Sequence, residues 1–392
     1  MVFLWRFARF AVSLQLQTFI NMYDQIREET LFIMLYAVVT ATAMLASCYL
    51  LFRRANAIAP HITPPTRLRR WTAAFFAILA LNHLWYMPIF FLSSSEAIMM
   101  TDLIGGLLDC MTLFPVAIIV LFIMLQDCKR PLWPVAAMMT PIVIIAIYGV
   151  ATRGYALLPI VYIYALLMWM GLIFYMVRAL RQYGRWLRDN FADLEHKEVW
   201  QSFVVLAIIM LVFAIYALTN EGPVYQYAMQ VIILVLVFYL LWRVESLSDL
   251  SLSQQPESNP ADLNIPAKRE CDVNPKVPTA NIRLLLQKYC IDTQLYLQHD
   301  LTLSQLAQAI GTNRTYLTNY FIHQGITYNA YINDLRINHF INLYREAVTT
   351  GKTFTAQQLA HDSGYRSYST FSLAFKQRMG QSVTAWMRTP AE

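Results

Sequence analysis

Apolar and polar positions follow two different rhythms along this chain. Up to about Val244 long apolar runs alternate with short charged loops; beyond it the two classes mix at close range. A helix needs about 20 apolar residues to cross a hydrocarbon layer of ~30 Å. Seven segments have that length: Leu31–Phe52, Trp71–Ser93, Leu103–Leu125, Leu132–Val150, Tyr155–Val177, Trp200–Thr219 and Val224–Trp242. Many begin or end in Trp or Tyr, which settle at lipid–water boundaries. Gly105, Gly106, Pro115 and Pro141 fall inside them, as membrane helices tolerate. Residues 1–28 open with MVFLWRFARF, where Arg6 and Arg9 interrupt the apolar run. No small-residue cleavage site follows, so an interfacial amphipathic segment is expected there rather than a signal peptide.

After the seventh run, residues 246–278 carry Pro256, Pro260, Pro266, Pro275 and Pro278 among Ser, Gln, Asn and Asp. That composition predicts a flexible cytoplasmic linker with a reach on the order of 30 Å. From Thr279 onward the apolar spacing is that of helices. Thr302 is placed to cap a helix beginning at Leu303, Gly311 breaks the chain, and Asn313 opens a second helix through His323. Helix, tight glycine turn and helix make a helix-turn-helix. The unit recurs: LSQLAQAIGTNRTYLTNYF lies over AQQLAHDSGYRSYSTFSLAF, matching Leu306-Ala307 with Leu359-Ala360 and Gly311 with Gly364. Leu317 then matches Phe371 and Phe321 matches Phe375 after one inserted residue. Between the units TYNAYINDLRINHFINLYREAV reads as one long connecting helix. The predicted fold is all-α: a seven-helix transmembrane bundle over 29–245, then a soluble all-helical domain over 279–392 with two helix-turn-helix units.

Three clusters of residues carry a family resemblance. The first unit has Leu303-x-x-Leu306-Ala307, then Asn313-Arg314-x-Tyr316-Leu317 with Phe321. The connecting helix has Tyr331-Ile332-x-x-Leu335-Arg336-Ile337. The second unit has Leu359-Ala360, Gly364-Tyr365 and Phe371-x-x-x-Phe375-Lys376-x-x-x-Gly380. Over 279–392 the sequence resembles the AraC/XylS family of bacterial transcription regulators. It departs at Thr384, where the family often has Pro, and at Trp386-Met387-Arg388, which replaces the usual Tyr-Arg ending. The membrane part looks like the multi-span sensor region fused to this domain in some bacterial regulators. The resemblance implies double-stranded DNA as partner, no cofactor, and either a monomer or a homodimer.

The helical spacing itself suggests how DNA would be met. With Leu317, Tyr320 and Phe321 facing inward, Thr315, Thr318, Asn319 and Ile322 face out; with Phe371, Ala374 and Phe375 inward, Ser369, Ser372, Leu373 and Lys376 face out. An outward face of small polar side chains fits a major groove and meets base edges. Candidate base readers are therefore Thr315, Thr318, Asn319, Ser369, Ser372 and Leu373, the last by touching a thymine methyl. Arg314, Arg366 and Lys376 are the candidate phosphate contacts. Arg336 is assigned to packing within the connecting helix. Over 279–392 ten basic residues stand against six acidic ones, a surplus that suits phosphate contact.

Composition and charge add a direction. The chain is 57% hydrophobic and only 14% charged, against about 25% charged in soluble domains. Thirteen Lys and Arg fall on one side of the expected spans, from Arg53 to Arg243, and four on the other: Arg6, Arg9, Arg27 and Arg153. The basic side is cytoplasmic, which puts the N-terminus outside the inner membrane and the C-terminal domain in the cytoplasm. The five cysteines are scattered without a CxxC or Cys/His cluster, so neither a disulfide framework nor a metal site is expected. Polar groups within the spans are few, and Asn82, His83 and Asp109 are the candidates among them. They either line a pocket for a small-molecule or membrane signal or tie helices together. The reading is a membrane-anchored, sequence-specific DNA-binding regulator. The competing one is a transporter or channel with a cytoplasmic regulatory tail. An intramembrane enzyme would need clustered acids, His or Ser, so no catalytic residue is expected.

Overall fold

The computed structural model describes residues 30–53, 56–60, 62–154, 156–219, 223–250 and 279–388. The expected interfacial segment 1–28 and nearly all of the expected linker lie outside them. Among the described residues there is no strand. The chain divides into two compact units, Met1–Arg181 with Val199–Asp249 and Gln182–Glu198 with Leu250–Glu392.

The first unit is built from α1 (Thr30–Phe52), α2 (Thr66–Tyr86), α3 (Ser95–Met111), α4 (Leu113–Met124), α5 (Trp133–Thr152), most of α6 (Leu158–Asn190), α7 (Trp200–Thr219) and α8 (Pro223–Ser246). Among the described residues six stretches are long and apolar enough to cross a membrane: Thr30–Phe52, Thr66–Phe91, Ser95–Met124, Trp133–Thr152, Pro159–Asn190 and Gln226–Ser246. The sixth expected run, Trp200–Thr219, coincides with α7, which is apolar through its part Trp200–Ile209. Leu31, Phe52 and Phe174 are exposed to 69%, 78% and 74%, an apolar outside that suits lipid rather than water.

Two local features depart from straight spans, each for a reason in the sequence. The run expected as one helix from Leu103 to Leu125 is divided at Thr112 (φ −125°, ψ −63°) into α3 and α4. Pro115 lies in the first turn of α4, where its missing N–H is tolerated and its ring disfavours a continuous helix through the preceding turn. The second span ends its α-helix at Tyr86 and continues as a 3₁₀ turn, Met87–Phe91, with Pro88 at its start. Gly105 lets these elements approach closely, because a Cβ there would sit 2.5 Å from the Tyr86 ring.

The second unit holds residues 182–198, α9 (Thr279–Leu286), a π-helical turn (Gln287–Ile291), α10 (Leu303–Ala309), α11 (Arg314–His323), α12 (Tyr328–Thr350), α13 (Ala356–Asp362), α14 (Tyr368–Met379) and α15 (Val383–Arg388). Each helix of the two repeats starts at a capping side chain. Thr302 and Gln305 form a reciprocal capping box on α10, while Asn313, Thr327, Thr355 and Ser367 cap α11, α12, α13 and α14. Two cores result, joined by α12. Leu306, Leu317, Phe321 and Ile332 belong to the first, with Ala192 among them. Ile337, Phe340, Phe371 and Phe375 belong to the second. Between the cores lies Arg336, 1% exposed. Its Nε donates to the Tyr296 carbonyl at 2.7 Å and its Nη2 to that of Gln298 at 2.8 Å.

Candidate nucleic-acid interface

The outward faces of α11 and α14 are set by what the inward faces bury. Leu317 and Phe321 are buried four residues apart on α11, as are Phe371 and Phe375 on α14. Thr315, Asn319 and Ile322 are exposed on the first helix, and Ser369, Leu373 and Lys376 on the second. Leu373 is 61% exposed. Thr318 and Ser372 are half-buried at the edges of these faces, and the Thr318 hydroxyl donates to the Arg314 carbonyl at 2.9 Å.

The candidate phosphate contacts are less alike. Lys376 is exposed in the second half of α14. Arg366 pairs with Asp300 at 2.7 Å. Arg314, the first residue of α11, donates to the side-chain oxygen of Asn190. Asp300 also holds Lys197 at 3.0 Å. Burial alone would raise the Asp300 carboxyl; the Lys197 charge and hydrogen bond, with Arg366 beside it, hold it below the ordinary aspartate value.

Asn190 and Lys197 belong to a stretch whose composition marks it only as a basic loop. Residues 190–198 lie along the N-terminal ends of α11, α12 and α14. Phe191 bridges to Thr302, and the Ala192 N–H donates to the Leu301 carbonyl at 3.1 Å. Asn329, in the first turn of α12, donates to the Ala192 carbonyl at 2.6 Å. Glu195 accepts from the hydroxyls of Ser367 and Thr370 at 2.5 and 2.9 Å, over the first turn of α14.

In the first unit Asn82 donates to Asp109 at 2.6 Å and Tyr86 to the same carboxylate at 3.1 Å. His83 Nε2 lies 3.0 Å from the side-chain amide oxygen of Gln230 on α8. A cavity of about 190 Å³ nearby is lined by Tyr86, Asp102, Gly106 and Cys110 among others, with none of Asn82, His83 and Asp109 on its wall. Among the described residues no cluster of His, Cys, Asp or Glu could hold a metal ion.

A family model described as a helix-turn-helix domain matches residues 306–389, the stretch that contains both outward faces. That region is an AraC-type helix-turn-helix of the kind found in DNA-binding transcription regulators. No curated protein and no solved structure matches the chain.

Proposed function

We propose that the chain is a transcription regulator held in the bacterial inner membrane by its apolar helices, with the helix-turn-helix domain in the cytoplasm. Its membrane helices receive a small-molecule or membrane signal, and a second copy of the chain is a natural partner on DNA. The observation that carries this reading is the pairing in one chain of membrane-length apolar helices with two capped helix-turn-helix units sharing a connecting helix. The excess of Lys and Arg in the loops on one side supports the cytoplasmic placement. Thr315, Asn319 and Ser369 meet base edges, Thr318 and Ser372 flank them, and Leu373 touches thymine methyls. Arg314, Arg366 and Lys376 position the helices on phosphates. In the bundle, Asn82–Asp109 and His83–Gln230 link α2 to α3 and α8. A ligand competing for either pair would shift those helices against one another.

The test uses the full chain in lipid nanodiscs against a genomic library of duplex fragments. Salt-sensitive, sequence-preferring binding is expected. Asn319→Ala should lose discrimination at particular bases, with ~1–3 kcal/mol lost there, while Lys376→Ala should weaken all sequences evenly and lower the salt slope by about one. Equal, sequence-independent losses for both would refute this division. Substrate flux through liposomes with no DNA retained would favour a transporter instead.

A further inference from the structure

Residues 190–198 touch the groups that DNA would need, in the same compact unit and through side chains of opposite character. Glu195 places a carboxylate on two hydroxyls at the start of α14, where the helix presents unpaired N–H groups and a partial positive charge. A DNA phosphate is attracted to the same place for the same reason. Ser367 is the N-cap of α14 and lies 3.0 Å from the hydroxyl of Ser369 on its outward face. At the first helix-turn-helix Asn190 holds the Arg314 guanidinium, so a phosphate must displace that oxygen to reach it. Both repeats are thus met at equivalent positions, the first turns of α11 and α14.

The contact is built rather than incidental. Phe191 and Ala192 are each only 2% exposed, and Ala192 sits within the first core. The Ala192 N–H and carbonyl are both bonded to the helix-turn-helix region. Lys197 is 7% exposed and bonds Asp300 as well as the Asp193 carbonyl at 2.9 Å. The surface formed by these helix N-termini therefore has a fitted partner of stated chemistry: an acidic and amide-bearing strap from the same chain.

We propose that residues 182–198 are an intrachain competitor for DNA, with Glu195 standing where a backbone phosphate binds and Asn190 engaging Arg314. The strap occupies the domain in the DNA-free state and leaves it when duplex binds. It continues α6, whose last turns it includes, and runs on into α7, so whatever moves these apolar helices biases its release. Apparent DNA affinity is then reduced by the fraction of molecules whose strap is docked. This inference rests on the DNA-binding reading above.

The test measures binding of a random-sequence duplex pool, about 30 base pairs long so that it spans two adjacent major-groove contacts, to the full chain in nanodiscs. Asn190→Ala with Glu195→Ala is expected to bind about tenfold tighter than wild type or more. Glu346→Gln, which removes an exposed acid elsewhere in the unit, controls for charge alone and should change affinity less than about twofold. In wild type, saturating duplex should speed hydrogen exchange at the Ala192 amide. Equal affinity of wild type and the double variant, an equal gain from Glu346→Gln, or an Ala192 amide that stays protected under bound DNA would each overturn the strap while leaving DNA binding intact. Loss of duplex binding by all forms at low salt would overturn both.

Discussion

Arg336 is the most informative single position in the second unit, because one side chain holds both cores to the connecting helix. Its guanidinium donates to two main-chain carbonyls, of Tyr296 and Gln298, and lies 5.4 Å from the centroid of the Tyr365 ring. Hydrogen bonds from a charged donor contribute about 1.5–3 kcal/mol each, so Arg336→Ala forfeits ~3–6 kcal/mol gross. Against that, removing a buried charge relieves its desolvation; burial does push the Arg336 pKa down. The relief is partial, since truncation also leaves a void and two buried carbonyls short of a donor. The net expectation is a loss of ~2–4 kcal/mol, with Arg336→Lys intermediate because it keeps a charge and loses the fork. Hydrogen exchange of the Ile332 and Ile337 amides in the full chain reads the opening free energy of α12 directly. If Arg336→Ala left those amides within ~0.5 kcal/mol of wild type, the view of α12 as a strut fastened at this point would be wrong.

Other perturbations test separate parts of the fold. Gly364→Ala forces a Cβ to 2.8 Å from the Leu297 carbonyl at φ +89°, so it should cost ~2 kcal/mol or more in exchange at Phe371. Gly311→Ala, at φ +69° with open space around it, should cost ~1–2 kcal/mol from backbone strain alone. Asp300 has a folded pKa below its ordinary 3.8, so the unfolded form binds the proton more readily. Its contribution is therefore present above that value and lost as pH falls through the folded one; Asp300→Asn should flatten the acid limb of a stability profile between those points. Asn82→Ala should lower the resistance of the first unit to denaturing detergent by ~1 kcal/mol, in the range of interhelical hydrogen bonds in membranes. No change on that substitution would mean that Tyr86 alone satisfies Asp109.

The helix-turn-helix repeats were legible because their punctuation is chemical. Thr302 and Asn313 cap the helices they were expected to cap, and Gly311 and Gly364 both adopt positive φ at the turns. The pairs Leu317/Phe321 and Phe371/Phe375, four residues apart, fixed the outward faces by burying the opposite ones. Thr318 and Ser372 fell at the margins, half-buried rather than open, because an apolar stripe wider than one residue covers the edge of the face beside it. What spacing alone could not convey was the occupancy of the arginines. Arg314 and Arg366 looked free for phosphate because their partners, Asn190 and Asp300, are distant in sequence or carried on a turn with no helical period.

The strap shows most clearly where a hydropathy reading stops short. The apolar run at Tyr155–Val177 by itself meets the length needed to cross a membrane, and by hydropathy Arg178, Arg181, Arg185, Arg188 and Lys197 register only as a cytoplasmic charge bias. Yet α6 continues to Asn190, and Tyr183, Leu187 and Phe191 are each 2% exposed or less. Together with half-buried Trp186 they recur at i, i+3, i+4 and i+8, one side of an amphipathic helix whose opposite side carries the arginines. The ring pairs Tyr183–Trp186 and Trp186–Phe191, with centroids 5.8 and 5.6 Å apart, fasten that side. An apolar stripe placed among positive charges beyond a completed span needs a protein surface to cover it. In this chain that surface belongs to the same unit as the helix-turn-helix repeats. The positive-inside bias and the docking stripe interleave along the same stretch of chain, and a transfer scale that averages over it can register only the first.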